Sequence, residues 1–132
     1  MKIILNHSAE LLILIFLIIT FLMSVIDKLT DWKGNVAFLK SHFANTFVPP
    51  LIPITLLIIL ILEVLTTVFC SLGIFEIIAE KNTSYSLVGS IISCVILLLF
   101  LLGQRIAKDF DGARHITIYF IVSVFAVFLF QN

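Results

Sequence analysis

The sequence predicts an all-α membrane protein: a four-transmembrane-helix antiparallel bundle with a short interfacial amphipathic helix between the first two spans. Of its 132 residues 61% are hydrophobic and its mean hydropathy is +1.25, whereas soluble domains hold roughly 45 to 50% apolar residues. Four apolar stretches reach or approach the roughly 20 residues that cross a bilayer. Short polar segments join the last three, which makes those helices antiparallel neighbours. A soluble protein is excluded. Eight basic and eight acidic residues cancel, so there is no basic surface to hold phosphates, and nucleic acid is not an expected partner.

The first span runs from about Ala9 to Lys28. Lys2 followed by an apolar run also resembles a secretory signal, but the run ends in Ser24, Val25, Ile26, Asp27, Lys28, with no small-x-small cleavage pattern, and further spans follow. It is expected to stay in place as a helix. In the next segment, DWKGNVAFLKSHFANT, residues Trp32, Val36, Leu39 and Phe43 form one apolar stripe, while Lys33 and Lys40 fall elsewhere on the wheel. That pattern predicts a helix over about 31–46 lying in the membrane interface, anchored by Trp32; Gly34 weakens it. Pro49, Pro50 and Pro53 suit a helix start, where the first amides have no internal partner. The second span is expected over Leu51 to Ile77, the third over Tyr85 to Arg105, and the fourth and shortest over Ile116 to Phe130. Residues in lipid must satisfy their backbone internally, so helices are expected despite the many Ile, Val and Phe. The whole chain, 1–132, reads as one membrane domain.

Lys28, Lys33, Lys40, Arg105, Lys108 and Arg114 share one membrane face, against Lys2 and Lys81 on the other. The positive-inside rule then puts the charged loops 27–50 and 104–115 in the cytoplasm and both termini outside. Asp27, Asp31, Asp109 and Asp111 accompany the basic residues, so an ion-pair network with a structural role is the competing reading of that face.

Glu63 stands about 12 residues into the second span, roughly 18 Å along the helix and so near mid-membrane. Keeping it ionised there costs several kcal/mol, comparable with protonating it, so the neutral acid, able to donate a hydrogen bond, competes with the ionised form. Thr66, Thr67 and Cys70 extend a polar stripe from it, and Ser86, Ser90 and Cys94 form a small-residue row in the third span, broadened by Gly89 and Ser93. Such rows let helices approach closely. Counting back from Gln104 puts Ser93 near the depth of Glu63. Glu63, Thr67, Ser90 and Ser93 are therefore the expected packing stripe, with Glu63 either a proton relay, a polar contact for a lipid-soluble ligand, or glue between helices.

A second constellation lies at the charged face. Thr20, Ser24, Asp27 and Asp31 fall along one side of the first helix with Lys28 beside them, and GQRIAKDFDGARH lies close by. Asp27, Lys28, Asp31, Arg105, Lys108 and Asp109 are candidates for binding an anionic substrate or a partner; interfacial ion pairs, including Asp27 with Arg105, are the plainer reading. His42 and His115 share the face but show no compact ligand spacing, and His7 is expected on the opposite one, so no metal site is expected. Cys70 and Cys94 should differ in depth by roughly 13 Å, too far for a disulfide, and read as packing residues.

Three stretches, FLMSVIDKLTDWKGN, LEVLTTVFCSLGIFE and GQRIAKDFDGA, together resemble the DoxX-like family of small bacterial integral membrane proteins, in its Bacteroidetes-type form, over nearly the whole chain. The last stretch is the most specific. Where many relatives have glycine, this chain has Val25. The family's recurrent polar residues fall on Lys28, Glu63, Arg105 and Asp109. The resemblance implies a four-helix bundle in the bacterial inner membrane and, for some relatives, a membrane subunit linking thiol or sulfur oxidation to quinone. No haem-type Cys-x-x-Cys-His is present and no histidine lies within a predicted span, so quinone is the one cofactor implied and no cofactor motif carries it independently.

The expected role is an accessory or anchoring subunit of a larger inner-membrane or envelope complex, quinone-linked on the strength of the resemblance, and not an enzyme on its own. The contrasting reading is an intrinsic oxidoreductase subunit with Glu63 as proton relay and Lys28 or Arg105 holding an anionic substrate. A small oligomeric transporter is third. Expected partners are membrane lipids, other membrane or envelope proteins, and further copies of the chain.

Overall fold

A computed structural model describes residues 2–80 and 82–132; Lys81, counted above on the less charged face, lies outside them. The described chain is all helical: α1 (Lys2–Asn6), α2 (Ser8–Thr30), α3 (Trp32–His42), a 3-10 turn (Pro49–Leu51), α4 (Ile52–Ile78), α5 (Ser84–Ile106) and α6 (Phe110–Gln131). Four of these, α2, α4 with its leading turn, α5 and α6, are long and apolar enough to cross a membrane. The protein is a multi-pass integral membrane protein. In space α2 packs on α4, α4 on α5 and α5 on α6, with a lighter contact between α2 and α6 closing the bundle.

The outward faces are predominantly apolar, with Leu12, Ile19, Ile61, Phe75, Leu102 and Phe128 all exposed, as lipid-facing surfaces are. The centre is mixed. Leu14, Leu17, Phe21 and Ile96 are fully buried, but so are Glu63, Thr66, Ser86, Ser90, Ser93 and Ser123. Between helices in lipid the hydrophobic effect offers little drive, and close contact of small residues does the work instead. The α4–α5 seam shows it: a Cβ on Gly73 would lie 2.3 Å from Ser86 Oγ, and one on Gly89 would lie 2.9 Å from Cys70 Sγ. Those two contacts fix an antiparallel register that continues to Thr66 opposite Ser93 and Glu63 opposite Ile96. Ser93 therefore sits about one turn from the depth of Glu63, not level with it. Along the seam Cys94 is half-buried at the side, and the fully buried row is Ser86, Ser90 and Ser93 with Gly89.

Two helices on the charged side begin in the same way. Asp31 accepts the amide of Gly34 at the start of α3, at 3.1 Å, and Asp109 accepts that of Gly112 at the start of α6, at 2.9 Å. In both, an aspartate N-cap binds the amide three residues on, in DWKG and DFDG. The second cap starts α6 at Phe110, six residues before the expected Ile116, because the preceding helix ends in a tight turn: Lys108 N donates to Arg105 O and Asp109 N to Gln104 O. This is a Schellman closure, and it holds Lys108 at φ 59°. A non-glycine residue there costs about 1 to 2 kcal/mol. Lys108→Gly is therefore expected to stabilise the protein by about 1 kcal/mol, measured as a rise in thermal midpoint in detergent; an unchanged or lower midpoint would contradict the turn. At the other end of α5, the buried Glu76 carboxylate accepts the amide of Tyr85 at 3.0 Å. It satisfies one of the free amides of that helix end.

Candidate functional site

Lys28 and Ser24 of the charged-face constellation join Glu63 in one site. Lys28 does not extend toward the charged surface. Its side chain is 9% exposed and its Nζ lies 2.7 Å from Oε1 of Glu63, which is completely buried. Nζ also donates to Ser24 Oγ at 2.6 Å, one turn back on α2. The directions follow from helix geometry. Side chains lean toward the N-terminus of their own helix, so Lys28, near the C-terminal end of α2, leans into the membrane. Glu63, on the antiparallel α4, leans back toward the same face. The two converge from opposite directions.

The pair is close but incompletely satisfied. The ammonium lies close to Oε1 without hydrogen-bond alignment, and neither Glu63 oxygen has a hydrogen-bond partner among the described residues. Thr66 Oγ1, one turn along α4, is buried and unpartnered as well. Thr67 sits at the edge of this stripe and returns its hydroxyl to the Glu63 carbonyl at 2.9 Å. The inward polar residue is thus Thr66, with Thr67 half-buried beside it.

Lys28 is also part of a wall. Between α3, the segment after it, the first turns of α4 and the end of α5 lies a cavity of about 720 Å³, whose lining includes Lys28, Phe43, Leu56, Ile59, Phe100 and Gly103. A few hundred to about 1,000 Å³, mostly apolar with a few polar groups, is the ordinary form of a small-molecule site. His42, Gln104 and Asp109 also line it, and they touch one another: His42 Nε2 lies 2.9 Å from Gln104 Oε1 and 3.6 Å from Asp109 Oδ2. An ammonium has three donors. One is given to Ser24 Oγ while the charge faces Glu63, so Lys28 keeps donor capacity for whatever occupies the cavity.

The other candidates at the charged face are dispersed. Asp31 and Asp109 are occupied as helix caps. Arg105 lies over the ring of Phe110, 5.2 Å from its centroid, a cation–π contact; it makes no ion pair with Asp27, which is exposed. Among the described residues the single charge pair on the exposed surface here is Asp111 with Arg114 at 2.7 Å. Lys108 is exposed and serves the turn through its backbone. Both cysteine thiols are free, Cys70 buried against Gly89. Among the described residues no three His, Cys, Asp or Glu side chains come together as metal ligands would.

Sequence reasoning named Lys28 and Glu63 but not their contact, and it missed the cavity, His42 with Gln104, and the Glu76 cap. A basic residue in the last turn of a span, with a serine four residues earlier, is the available sign of a lysine turned inward. Compared with known proteins, the chain matches no family model, no curated protein and no solved structure.

Proposed function

We propose that this membrane protein is an accessory subunit that holds a lipid-soluble molecule with a hydrogen-bond-accepting head group in the cavity beside Lys28. The observation that carries the reading is a buried lysine, charge-compensated by Glu63, on the wall of an apolar cavity and with a donor to spare. A buried ion pair is weak support for stability in itself, since an apolar pair of similar volume often does as well; a binding role gives it a reason. The aromatic and aliphatic lining suits an apolar body, and Lys28 suits a carbonyl, carboxylate or phosphate oxygen. Quinones belong to this class, which agrees with the DoxX-like resemblance and with a bacterial inner-membrane setting.

In this reading α3 lies along the membrane surface and covers the cavity, with Trp32 at the interface and the charged loops in the cytoplasm. Glu63 serves as the counter-ion of Lys28 and tunes its hold on the head group.

The experiment is to purify the protein in a mild detergent, extract it with organic solvent and identify bound molecules by mass spectrometry. The comparison is the double variant Lys28→Met/Glu63→Leu, which removes the charges together and is expected to keep the fold. The wild type should retain a lipid-soluble compound near one per chain, and the variant should lose at least nine-tenths of it. Equal retention by both would remove Lys28 from the site.

A further inference from the structure

The outer side of α3 carries a separate feature. Trp32, Lys33, Val36, Ala37 and Lys40, with Pro53 from α4, line a shallow groove of about 320 Å³. Lys33 and Lys40 are seven residues apart, roughly 10 Å along the helix, so both stand on the same side with apolar residues between them. Both are exposed, and among the described residues neither has a carboxylate within 4.0 Å. Of the acidic residues that accompany them in sequence, Asp27 stays exposed on α2 and the other three are engaged elsewhere. Asp31 caps α3, Asp109 caps α6, and Asp111 pairs with Arg114. Lys28, the remaining basic residue of this stretch, is turned inward to Glu63. Lys33 and Lys40 are left as two ammonium groups without a carboxylate partner among the described residues, on one groove with an apolar floor.

We infer that this groove binds an anionic phospholipid, its phosphate between the ammonium groups of Lys33 and Lys40 and its glycerol and upper acyl chain over Val36, Ala37 and Pro53. The inference rests on the reading of α3 as a surface helix of the membrane. Charge complementarity chooses the occupant: a lysine near an anionic bilayer favours it about fivefold, and two give an enrichment on the order of tenfold or more. A zwitterionic lipid would bring its own cation against the lysines and gain little. Occupation would brace α3 over the cavity from its outer side.

Trp32 is the sole tryptophan of the chain and lines the groove, so its fluorescence reports the occupant. The protein is reconstituted in phosphatidylcholine vesicles containing, at equal mole fraction, either phosphatidylglycerol or phosphatidylcholine brominated high on the acyl chain. Brominated phosphatidylglycerol should quench Trp32 several-fold more strongly, and added salt should reduce the difference through screening. The variant Lys33→Gln/Lys40→Gln should bring the two lipids to parity while leaving quenching by brominated phosphatidylcholine unchanged. Parity in the wild type overturns the lipid site while leaving α3 at the surface. Absence of quenching by either lipid overturns the surface position of α3, and the lipid site with it.

Discussion

Replacing Lys28 by methionine is expected to destabilise the bundle by about 3 to 5 kcal/mol, and replacing Glu63 by leucine by a similar amount. Each change leaves one buried charge without its counter-ion, Glu63 at zero exposure or Lys28 at 9%. Changing both together should cost little, because apolar side chains of similar volume replace a pair whose mutual attraction barely offsets the desolvation of two ions. The thermodynamic cycle, measured by unfolding in mixed detergent micelles, should give a coupling of several kcal/mol, with the double variant more stable than either single one. Glu63→Gln belongs with the damaging changes. From the sequence, a buried acid donating a hydrogen bond would survive that exchange; as the counter-ion of Lys28 it does not. Additive single effects would mean that the two groups do not share a site.

Gly73→Ala carries the second large effect. The added methyl would lie 2.3 Å from Ser86 Oγ and 3.0 Å from the backbone of Ser86, so α4 and α5 must separate. Overpacking of this kind costs about 1 to 3 kcal/mol, and here it strikes the seam that sets the helix register. Gly103→Ala provides the contrast. Its new Cβ would meet only the ring edge of Phe43, at 3.4 Å, an ordinary contact, and should change stability by less than about 0.5 kcal/mol. Combining Gly73→Ala with Ser86→Gly should recover part of the loss, since the hydroxyl is removed while the close backbone remains. If Gly73→Ala unfolds at the wild-type midpoint, the α4–α5 distance is wrong.

The spans were legible in the sequence because apolar length is a direct consequence of bilayer thickness. Their ends were less so. The start of α6 depends on Asp109 reaching the amide of Gly112 and on a left-handed Lys108, and neither leaves a hydrophobic signal. The stretch from Phe110 to His115 looks like a charged connection and is the start of a helix. For α3, the apolar stripe pointed to a helix over 31–46, but the helix ends at His42, since beyond it the backbone turns toward Pro49.

The site was legible as residues and illegible as geometry. Depth counted from span ends puts Lys28 at the surface and Glu63 near the middle, as if all ends were level. They are not. With its leading turn α4 spans 30 residues against 23 for α2, an excess of roughly 10 Å. Counting from the ends of helices of unequal length therefore cannot place Glu63 against Lys28, although the two are 2.7 Å apart. The cavity is lined by α3 residues as well as by the ends of α4 and α5, which no single span reveals. Ser93 and Thr66 show the smaller version of the problem, where a one-turn error in register exchanges the neighbours of a buried acid.

The central claim is that Lys28 and Glu63 form one buried pair beside the cavity, and the most direct measurement is the distance between them in the membrane. Protein carrying 15N-lysine and 13C-glutamate, reconstituted in lipid, can be measured by dipolar recoupling under magic-angle spinning. With Nζ at 2.7 Å from Oε1, the Lys28 nitrogen should be strongly dephased by the carboxyl carbon of Glu63, and the effect should vanish in Glu63→Gln prepared without labelled glutamine. A Lys28 nitrogen that shows no dephasing by Glu63 and exchanges freely with water would mean that the lysine extends to the surface, and the site built on it would fall.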